Sequence, residues 1–268
     1  LGVSNDRKEL YNMKVMITGI TGVIGSAVAD LIEDDHEVFG VDIRKSERAN
    51  TTQMDLADSV DEVAKIFEGM DVVIHLAADP RHDPWIGWKE LMRPNVITTT
   101  NVYDAAHKSG IRRFIFGSSM RVVAGYEFEE PYASIINGKY DGIDKGSIKL
   151  IKGLGQDNRP NNEYATSKIL GESLGSYFSE FEGMEVLVVR IGSLKHGSDK
   201  PGHDSRSWVA YMSLRDIAGF FRACIEKKEV GYDILYAASD NDWKVYDTPY
   251  AYKYLNFQPL DNAENFRG

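Results

Sequence analysis

Short apolar runs alternate along the chain with longer segments in which apolar residues recur every three or four positions. The short runs are rich in Val, Ile and Phe and are typical of buried strands, whereas the periodic segments are typical of amphipathic helices. Strands are expected at residues 14–18, 37–42, 71–76, 113–117 and 185–190, and helices at residues 23–33, 59–67, 88–109 and 162–181. Because strands that alternate with helices form parallel sheets, the pattern predicts an α/β fold with a doubly wound parallel sheet and helices on both faces.

The first expected strand runs into a glycine-rich turn with the spacing G-x-x-G-x-x-G, and an expected helix follows directly. In such a turn one glycine makes the tight bend, one lets the backbone approach a pyrophosphate, and one lets the helix pack closely on the strand. The N–H groups at the start of the helix also favour phosphate. The turn therefore predicts a dinucleotide site in a Rossmann-type fold, formed by Gly19, Thr21, Gly22, Val23, Ile24 and Gly25.

An acidic residue, Asp42, ends the second expected strand. A carboxylate at this point accepts hydrogen bonds from the ribose of NAD and repels the 2′-phosphate of NADP. Arg44 lies two residues further on, and an arginine there can instead accommodate that phosphate. The sequence favours NAD as the cofactor and leaves NADP as the alternative.

Two polar segments, residues 127–161 and 194–207, interrupt the alternation of strands and helices. Long loops of this kind in compact domains often carry function. We expect residues 1–12 to be an N-terminal extension and residues 13–193 to form the nucleotide-binding domain, with 127–161 as an insertion. Residues 194–268 are expected to form a small substrate-binding portion that is not an independent domain.

Composition narrows the possible partners. The chain has 31 Lys and Arg against 41 Asp and Glu, and a net charge of −10 disfavours binding to nucleic acids. No apolar run reaches the roughly 20 residues of a membrane span, and no signal-peptide pattern is visible, so we expect a cytoplasmic protein that binds no membrane. Cys224 stands alone and cannot form an intramolecular disulfide. The His-Asp pairs at 82–83 and 203–204 are typical of solvated loops, and no metal is expected.

Tyr164 and Lys168 lie four residues apart at the start of an expected helix and therefore share one of its faces. In that arrangement the ammonium is expected to lower the pKa of the phenol. A phenolate produced in this way can take a proton from a substrate hydroxyl. The pair is therefore a candidate general base with its electrostatic partner.

Together these features resemble the extended short-chain dehydrogenase/reductases of the NAD-dependent epimerase/dehydratase superfamily. The resemblance runs from Met13 to Phe266. The matching pieces are the glycine-rich turn, Asp42, Asp55-Leu56, His75-Leu76-Ala77-Ala78, Asn95, Ser118-Ser119, the Tyr164–Lys168 pair and Arg190-Ile191-Gly192-Ser193. The resemblance implies that Ser119 orients the substrate hydroxyl, that Tyr164 is the general base, and that Lys168 also holds the nicotinamide ribose.

The same resemblance implies the remaining contacts to NAD. Asp55 would bind adenine, with Leu56 beside it, and Ile191 would border the nicotinamide. The stretch Leu76-Ala77-Ala78 would pass under the cofactor ribose. Asn95 would lie near the active site as a cofactor contact, although a polar residue at the helix kink after Pro94 is an equally good interpretation.

The C-terminal part of the chain resembles the uronate dehydrogenases and related archaeal sugar and sugar-phosphate dehydrogenases. This implies that Arg206 binds the anionic end of the substrate, and that the substrate contacts are Ser118, Ser119, Met120, Arg121, Ser193 and Arg206. The uronate enzymes usually carry Asn-His after the catalytic serine, and this chain carries Met120-Arg121 instead. The exchange suggests a different and more anionic substrate, such as a hexose phosphate.

The expected function is the NAD-dependent oxidation of the anomeric carbon of an anionic aldose, a hexuronate or a hexose phosphate, to a lactone. The enzymatic alternative is a sugar or nucleotide-sugar epimerase or dehydratase with tightly bound NAD. A nucleotide-sensing scaffold is the non-enzymatic alternative, but it would not need Ser119, Tyr164 and Lys168. The resemblance also implies a homo-oligomer, a dimer or larger, formed through the two long helices.

Overall fold

The computed structural model describes residues 12–195 and 198–267, so that nearly all of the expected N-terminal extension lies outside the described residues. One parallel sheet of seven strands in the order β3-β2-β1-β4-β5-β6-β7 forms the centre. The strands are β1 (Lys14–Thr18), β2 (Glu37–Asp42), β3 (Thr51–Gln53), β4 (Val72–His75), β5 (Arg113–Ser119), β6 (Glu185–Ile191) and β7 (Tyr232–Ala237). The expected doubly wound α/β fold is confirmed. Among the helices of the described residues, none is both long and apolar enough to cross a bilayer.

Helices cover both faces of the sheet. The α-helices are α1 (Val23–Ile32), α2 (Val60–Phe67), α3 (Trp88–Leu91), α4 (Thr98–Lys108), α5 (Tyr132–Ile136), α6 (Glu163–Glu182), α7 (Ser205–Val209), α8 (Leu214–Glu226) and α9 (Thr248–Leu255). Buried apolar residues of α1, α8 and α9 pack on one face. Buried residues of α2, α4 and α6 pack on the other face. Because both faces are covered, the central strands β4 and β5 consist almost entirely of buried residues, which explains their continuous apolar character.

Two strands are additional to the sequence expectation, and one expected helix is divided. The three-residue strand β3 and the strand β7 were not predicted, the first because it is polar and the second because Asp233 interrupts its apolar run. The helix expected at residues 88–109 is α3 and α4 joined by a π-helical turn, Met92–Ile97. Pro94 lies in that turn and cannot donate a backbone hydrogen bond, which accounts for the wider winding.

The expected 127–161 insertion is more ordered than a loop. It begins within a 3-10 segment, Met120–Phe128, and contains α5 and a short 3-10 turn. Apolar side chains of this region form a third cluster with residues that follow position 207. Ile151 also exchanges backbone hydrogen bonds with Val245 and Asp247, each 2.9 Å long. The insertion and the C-terminal portion therefore share one core at the edge of the sheet, while β7, α8 and α9 complete the main layers.

A buried ion pair fixes α6 on the sheet. Glu172 on α6 accepts hydrogen bonds from Arg190 of β6 at 2.9 and 2.7 Å, and the Arg190 side chain is 1% exposed. Ser118 of β5 donates to the same carboxylate at 2.6 Å. Arg190 also donates to Tyr236 of β7 and to Asn158 of the insertion. One carboxylate and one guanidinium thus connect a helix, three strands and the insertion.

We predict that Glu172→Gln lowers the free energy of unfolding by about 3 kcal/mol, because the substitution leaves the Arg190 charge buried without a counterion. Urea denaturation followed by far-UV circular dichroism measures the change. Glu180→Gln on an exposed position of the same helix is the matched control and should change stability by less than about 0.5 kcal/mol. Equal effects of the two substitutions would show that the pair does not stabilise the fold.

Candidate active site

A cavity of about 1030 Å³ opens along the carboxyl ends of β1, β2, β4, β5 and β6. Strands β2 and β3 lie on one side of β1 and strands β4 to β7 on the other, so the direction of winding reverses between β1 and β4. Open α/β sheets bind their ligands at such a reversal. Of the residues expected to contact cofactor or substrate, all except Asn95 border this cavity.

The glycine-rich turn has the shape that a pyrophosphate requires. Gly19 has a φ of +74°, and a Cβ there would lie 2.8 Å from the backbone nitrogen of Ala77. A Cβ on Gly25 would lie 2.4 Å from the carbonyl oxygen of Gly19, so this position permits the close approach of α1 to β1. The first turn of α1 carries no side-chain cap and no acidic residue. Its N–H groups are therefore available to an anion in the cavity.

A buried hydrogen-bonded chain holds the floor of the cavity at the junction of β1 and β4. Thr18 Oγ1 accepts from the N–H groups of Leu76 and Ala77, both at 3.2 Å. Its own proton therefore points to His75 Nδ1, 2.7 Å away, and His75 Nε2 lies 3.2 Å from Thr99 Oγ1. Burial, together with the charge of Lys168, lowers the pKa of His75 to about 3. His75 is thus a neutral structural residue beneath the floor of the cavity.

The carboxylate of Asp42 is ionised and oriented at one end of the cavity. Thr21 donates to Oδ2 through its hydroxyl at 2.7 Å and its N–H at 3.1 Å, and the Arg44 N–H donates to Oδ1 at 3.0 Å. Burial alone would raise the pKa of Asp42, but these hydrogen bonds outweigh burial and lower it. The Arg44 side chain is 65% exposed and lies 3.5 Å from the carboxylate. An ionised acceptor at this position suits a ribose hydroxyl.

The far end of the cofactor region carries residues that the sequence analysis did not identify. Arg93 donates to Asp55 Oδ2 at 2.9 and 3.1 Å, and Arg93, Met54 and Ile43 border the cavity with Asp55. The Ile43 side chain is 63% exposed, which makes it a suitable apolar surface for a flat base. Ile43 could have been predicted as a cavity residue because it directly follows Asp42 at the end of β2. No local sequence pattern identifies Arg93 as a cavity residue.

Ser119, Tyr164 and Lys168 meet beneath the middle of the cavity. Asn162 caps α6 by accepting the Ala165 N–H at 2.8 Å, so that Tyr164 and Lys168 lie on the first turns. Ser119 ends β5 and hydrogen-bonds Tyr164, while its oxygen also accepts the Arg121 N–H at 3.2 Å. The three side chains thus converge from two elements on one point of the cavity wall.

The electrostatics of Tyr164 differ from the sequence expectation, in which Lys168 lowers its pKa. That expectation is wrong: burial raises the pKa of Tyr164, and the opposing influences are the hydrogen bond with Ser119 and the charge of Arg121. Lys168 Nζ instead donates to the carbonyl oxygen of Gly117 at 2.9 Å and lies 5.9 Å from the centre of the tyrosine ring. Burial lowers the pKa of Lys168 to about 8, against the opposing charge of Glu172.

Asn95 lies behind the cavity. Its amide accepts the Asp79 N–H at 2.8 Å and donates to the Asp79 carbonyl at 3.0 Å and to Ser167 Oγ at 3.1 Å. The structure therefore places it as a link between the π-helical turn, the segment after β4 and α6, which agrees with the alternative interpretation of a polar residue at the helix kink. Ser118 borders the cavity, but its hydroxyl points inward to Glu172.

The substrate end of the cavity is lined by Met120, Arg121, Ser193 and Arg206, as expected, and also by His82 and Ser207. Arg206 Nε donates to both oxygens of Glu127, at 3.0 and 2.9 Å, and Tyr246 donates to Glu127 at 2.6 Å. Sequence reasoning missed Glu127 and Tyr246, because they lie 79 and 40 residues from Arg206 and have no motif spacing to it.

Comparison with known proteins agrees with this geometry. The model of the NAD dependent epimerase/dehydratase family matches residues 15–219. An NAD-dependent glucose-6-phosphate dehydrogenase of Haloferax volcanii is 32% identical over 94% of this chain and 95% of its own length. A uronate dehydrogenase of Pseudomonas syringae is 26% identical over 95% of this chain and 84% of its own. The crystal structure of a glucuronic acid dehydrogenase from Chromohalobacter salexigens superposes with a TM-score of 0.76 at 26% identity, covering 96% of this chain and 87% of that one.

We predict that Lys168→Met stabilises the fold at pH 7 by about 1 to 2 kcal/mol, since the folded protein no longer has to hold a buried ammonium. The loss of the hydrogen bond from Lys168 to Gly117 offsets part of the gain in stability and is included in this value. The pKa of Lys168 is about 8 in the fold against an ordinary 10.5. The loss of folding stability that the buried ammonium causes is therefore fully present below about pH 8 and disappears as the pH rises to 10.5.

Urea denaturation at pH 7 and pH 10 measures this difference, with Lys228→Met at an exposed position as the control. The stability difference from the parent protein should shrink at pH 10 for Lys168→Met and stay constant for Lys228→Met. A loss of stability in Lys168→Met that is equal at both pH values would contradict the prediction.

Proposed function

The chain belongs to the NAD dependent epimerase/dehydratase family, and we propose that it is an NAD-dependent sugar dehydrogenase that oxidises the anomeric carbon of an anionic aldose to a lactone. The sequence prediction of this family is confirmed. The observation that carries the proposal is the convergence of Ser119, Tyr164 and Lys168 on a cavity that also holds the glycine-rich turn and Arg206. The relative at 32% identity is an NAD-dependent glucose-6-phosphate dehydrogenase, and the relative at 26% identity is a uronate dehydrogenase. Both support the same reaction class.

The residues of the cavity fit NAD. The first turn of α1 offers N–H groups to the pyrophosphate, and Gly19 and Gly25 keep side-chain atoms out of that space. Asp42 presents an ionised carboxylate to the ribose. When bound, NAD supplies the hydride acceptor and the positive charge of its nicotinamide ring. We expect Ile191, which borders the cavity at the end of β6, to contact that ring.

The protein supplies orientation and a path for the proton. We propose that Tyr164 Oη takes the proton of the anomeric hydroxyl as the C1–H bond breaks and its electron pair leaves as hydride, so that a C1=O bond forms. Ser119 hydrogen-bonds the same oxygen and holds it against Tyr164. Arg206 borders the substrate region and fixes the anionic group, which directs C1 toward the cofactor.

The position of Lys168 indicates an electrostatic role. With a pKa of about 8 it remains mostly protonated near neutral pH, and its charge lies behind Tyr164 in the same buried region. We propose that this charge holds the nicotinamide ribose of the bound cofactor through a hydrogen bond, whereas the charges of Arg121 and of the cofactor stabilise the phenolate during turnover. The reaction should accelerate as the pH rises toward 8, because burial raises the pKa of Tyr164 and makes its deprotonation the limiting requirement.

Two further expectations stay predictions. Self-association is consistent with the exposed aromatic residues Tyr177 and Phe181 on α6 and with Ile97 at the start of α4. A cytoplasmic location follows only from the sequence analysis.

We predict that Tyr164→Phe removes nearly all turnover, by about 10³-fold or more, while NAD binds with unchanged affinity, because only the proton acceptor is lost. NADH absorbance with hexuronates, hexose phosphates and neutral aldoses measures turnover, and isothermal titration calorimetry measures NAD binding. Tyr177→Phe on the exposed face of the same helix is the control. Full activity of Tyr164→Phe would refute its role. An active parent protein without net NADH formation would instead indicate an epimerase or dehydratase.

We predict that Asp42→Asn lowers the preference for NAD over NADP by about tenfold to hundredfold. The substitution removes the charge that repels a 2′-phosphate and leaves the nearby Arg44 cation without its partner. The ratio of kcat/KM for the two cofactors measures the effect, and Asp34→Asn at an exposed position serves as the control. An unchanged ratio would mean that Asp42 does not face the ribose.

A further inference from the structure

Two arginine side chains from different elements border the substrate end of the cavity. Arg121 lies in the 3-10 segment that follows β5, and Arg206 lies in α7. Arg121 Nη2 is 3.3 Å from His82 Nε2, and the His82 ring is 5.8 Å from the Tyr164 ring. Arg121 therefore lies on the side of the cavity that faces the reacting group.

The hydrogen bonds of Arg206 leave one of its donors unused. Its Nε is bound by both carboxylate oxygens of Glu127. Its Nη2 is buried and has no hydrogen-bond partner in the described part of the chain. A buried guanidinium N–H without a partner is costly, so this donor indicates a ligand in the adjoining cavity.

Glu127 also changes the charge at this end of the cavity. It neutralises Arg206, and the Tyr246 hydroxyl is hydrogen-bonded to the same carboxylate. Among the described residues no carboxylate forms an ion pair with Arg121. Arg121 is therefore a cation of this end without an ion-pair partner among the described residues, and Glu127 and Asp204 act on it only at longer range. Burial and the nearby Arg206 lower the pKa of Arg121, which is the electrostatic cost of holding the two cations together.

We propose that Arg121 and Arg206 together bind a phosphate group of the substrate, so that the enzyme acts on an aldose phosphate in preference to a hexuronate. This inference rests on the proposed function and names its substrate class. Arg121 is the specificity-determining residue, because its guanidinium has no ion-pair partner among the described residues.

The geometry favours phosphate over carboxylate. A planar carboxylate is bound best by the parallel Nε and Nη2 donors of one arginine, and the Nε of Arg206 is already used by Glu127. A phosphate monoester presents three terminal oxygens in a tetrahedral arrangement. It can accept from Arg206 Nη2 with one oxygen and from the guanidinium of Arg121 with another, although the two donors come from different elements.

The first test compares substrates. The parent protein is assayed by NADH absorbance with a hexose 6-phosphate, the corresponding hexuronate and the neutral hexose. We expect kcat/KM to be at least about tenfold higher for the phosphate than for the hexuronate, because the phosphate forms one additional charge-assisted hydrogen bond. Equal values, or a higher value for the hexuronate, would overturn the proposal.

The second test uses Arg121→Gln and Arg121→Lys. The charge of Arg121 also lowers the pKa of Tyr164, and this effect is the same for every substrate. The loss of kcat/KM with the neutral hexose measures it. The additional loss with the hexose phosphate measures the phosphate contact, and we expect it to be about tenfold to hundredfold in Arg121→Gln. Arg121→Lys should recover part of this loss, since it keeps the charge but not the planar donors. Arg112→Gln, at the opposite end of β5 and 78% exposed, is the control. Equal losses with both sugars would overturn the proposal.

A binding measurement separates this proposal from the proposed reaction. Inorganic phosphate should raise the melting temperature of the parent protein, relative to sodium chloride at the same ionic strength, and should have little effect on Arg121→Gln. If phosphate binds in this way but no sugar reduces NAD, the phosphate site stands and the dehydrogenase function fails. If sugars are oxidised but phosphate stabilises neither protein, the function stands and the phosphate site fails.

Discussion

The buried ion pair between Glu172 and Arg190 is the interaction on which the rest of the molecule depends. Neither group is stable in a protein interior without the other, so the pair fixes how α6 lies on β6. Ser118 of β5 donates a hydrogen bond to Glu172, and Tyr236 of β7 accepts one from Arg190. These bonds connect both strands to the ion pair. The position of α6 in turn decides where its N-terminal turns, and hence Tyr164 and Lys168, meet the sheet.

The same carboxylate connects the fold to the chemistry. Glu172 lies one turn after Lys168 and is the charge that opposes the lowering of the Lys168 pKa by burial. Without it the ammonium would lose its proton more readily. The ion pair therefore has two consequences: it positions the helix, and it keeps a buried lysine charged near neutral pH. The hydrogen bond from Lys168 to Gly117 completes the link, since it connects the ammonium to β5.

Local patterns in the sequence were sufficient for the parts of the site that lie within one turn or one strand end. The spacing of Gly19, Gly22 and Gly25 is typical of a tight turn from strand to helix, and the four-residue spacing of Tyr164 and Lys168 fixes a shared helix face. Features that depend on burial or on distant contacts could not be predicted in this way. The direction of the Tyr164 pKa shift depends on its surroundings, and the contact between Glu127 and Arg206 joins residues 79 positions apart. The polar strand β3 is likewise defined only by its pairing with β2.

The proposed cofactor end and the proposed substrate end of the cavity are built in different ways. The cofactor end consists largely of backbone groups at β1, α1 and β4, which pack into the cores of the main sheet. The substrate end consists of side chains on the 3-10 segment after β5 and on α7, whose apolar residues belong to a separate cluster shared with the insertion. Replacement of a side chain such as Arg121 changes the charge and the hydrogen bonding at the edge of that cluster. It does not alter the glycine-rich turn. The insertion thus supplies Glu127 and part of the core that supports Arg206.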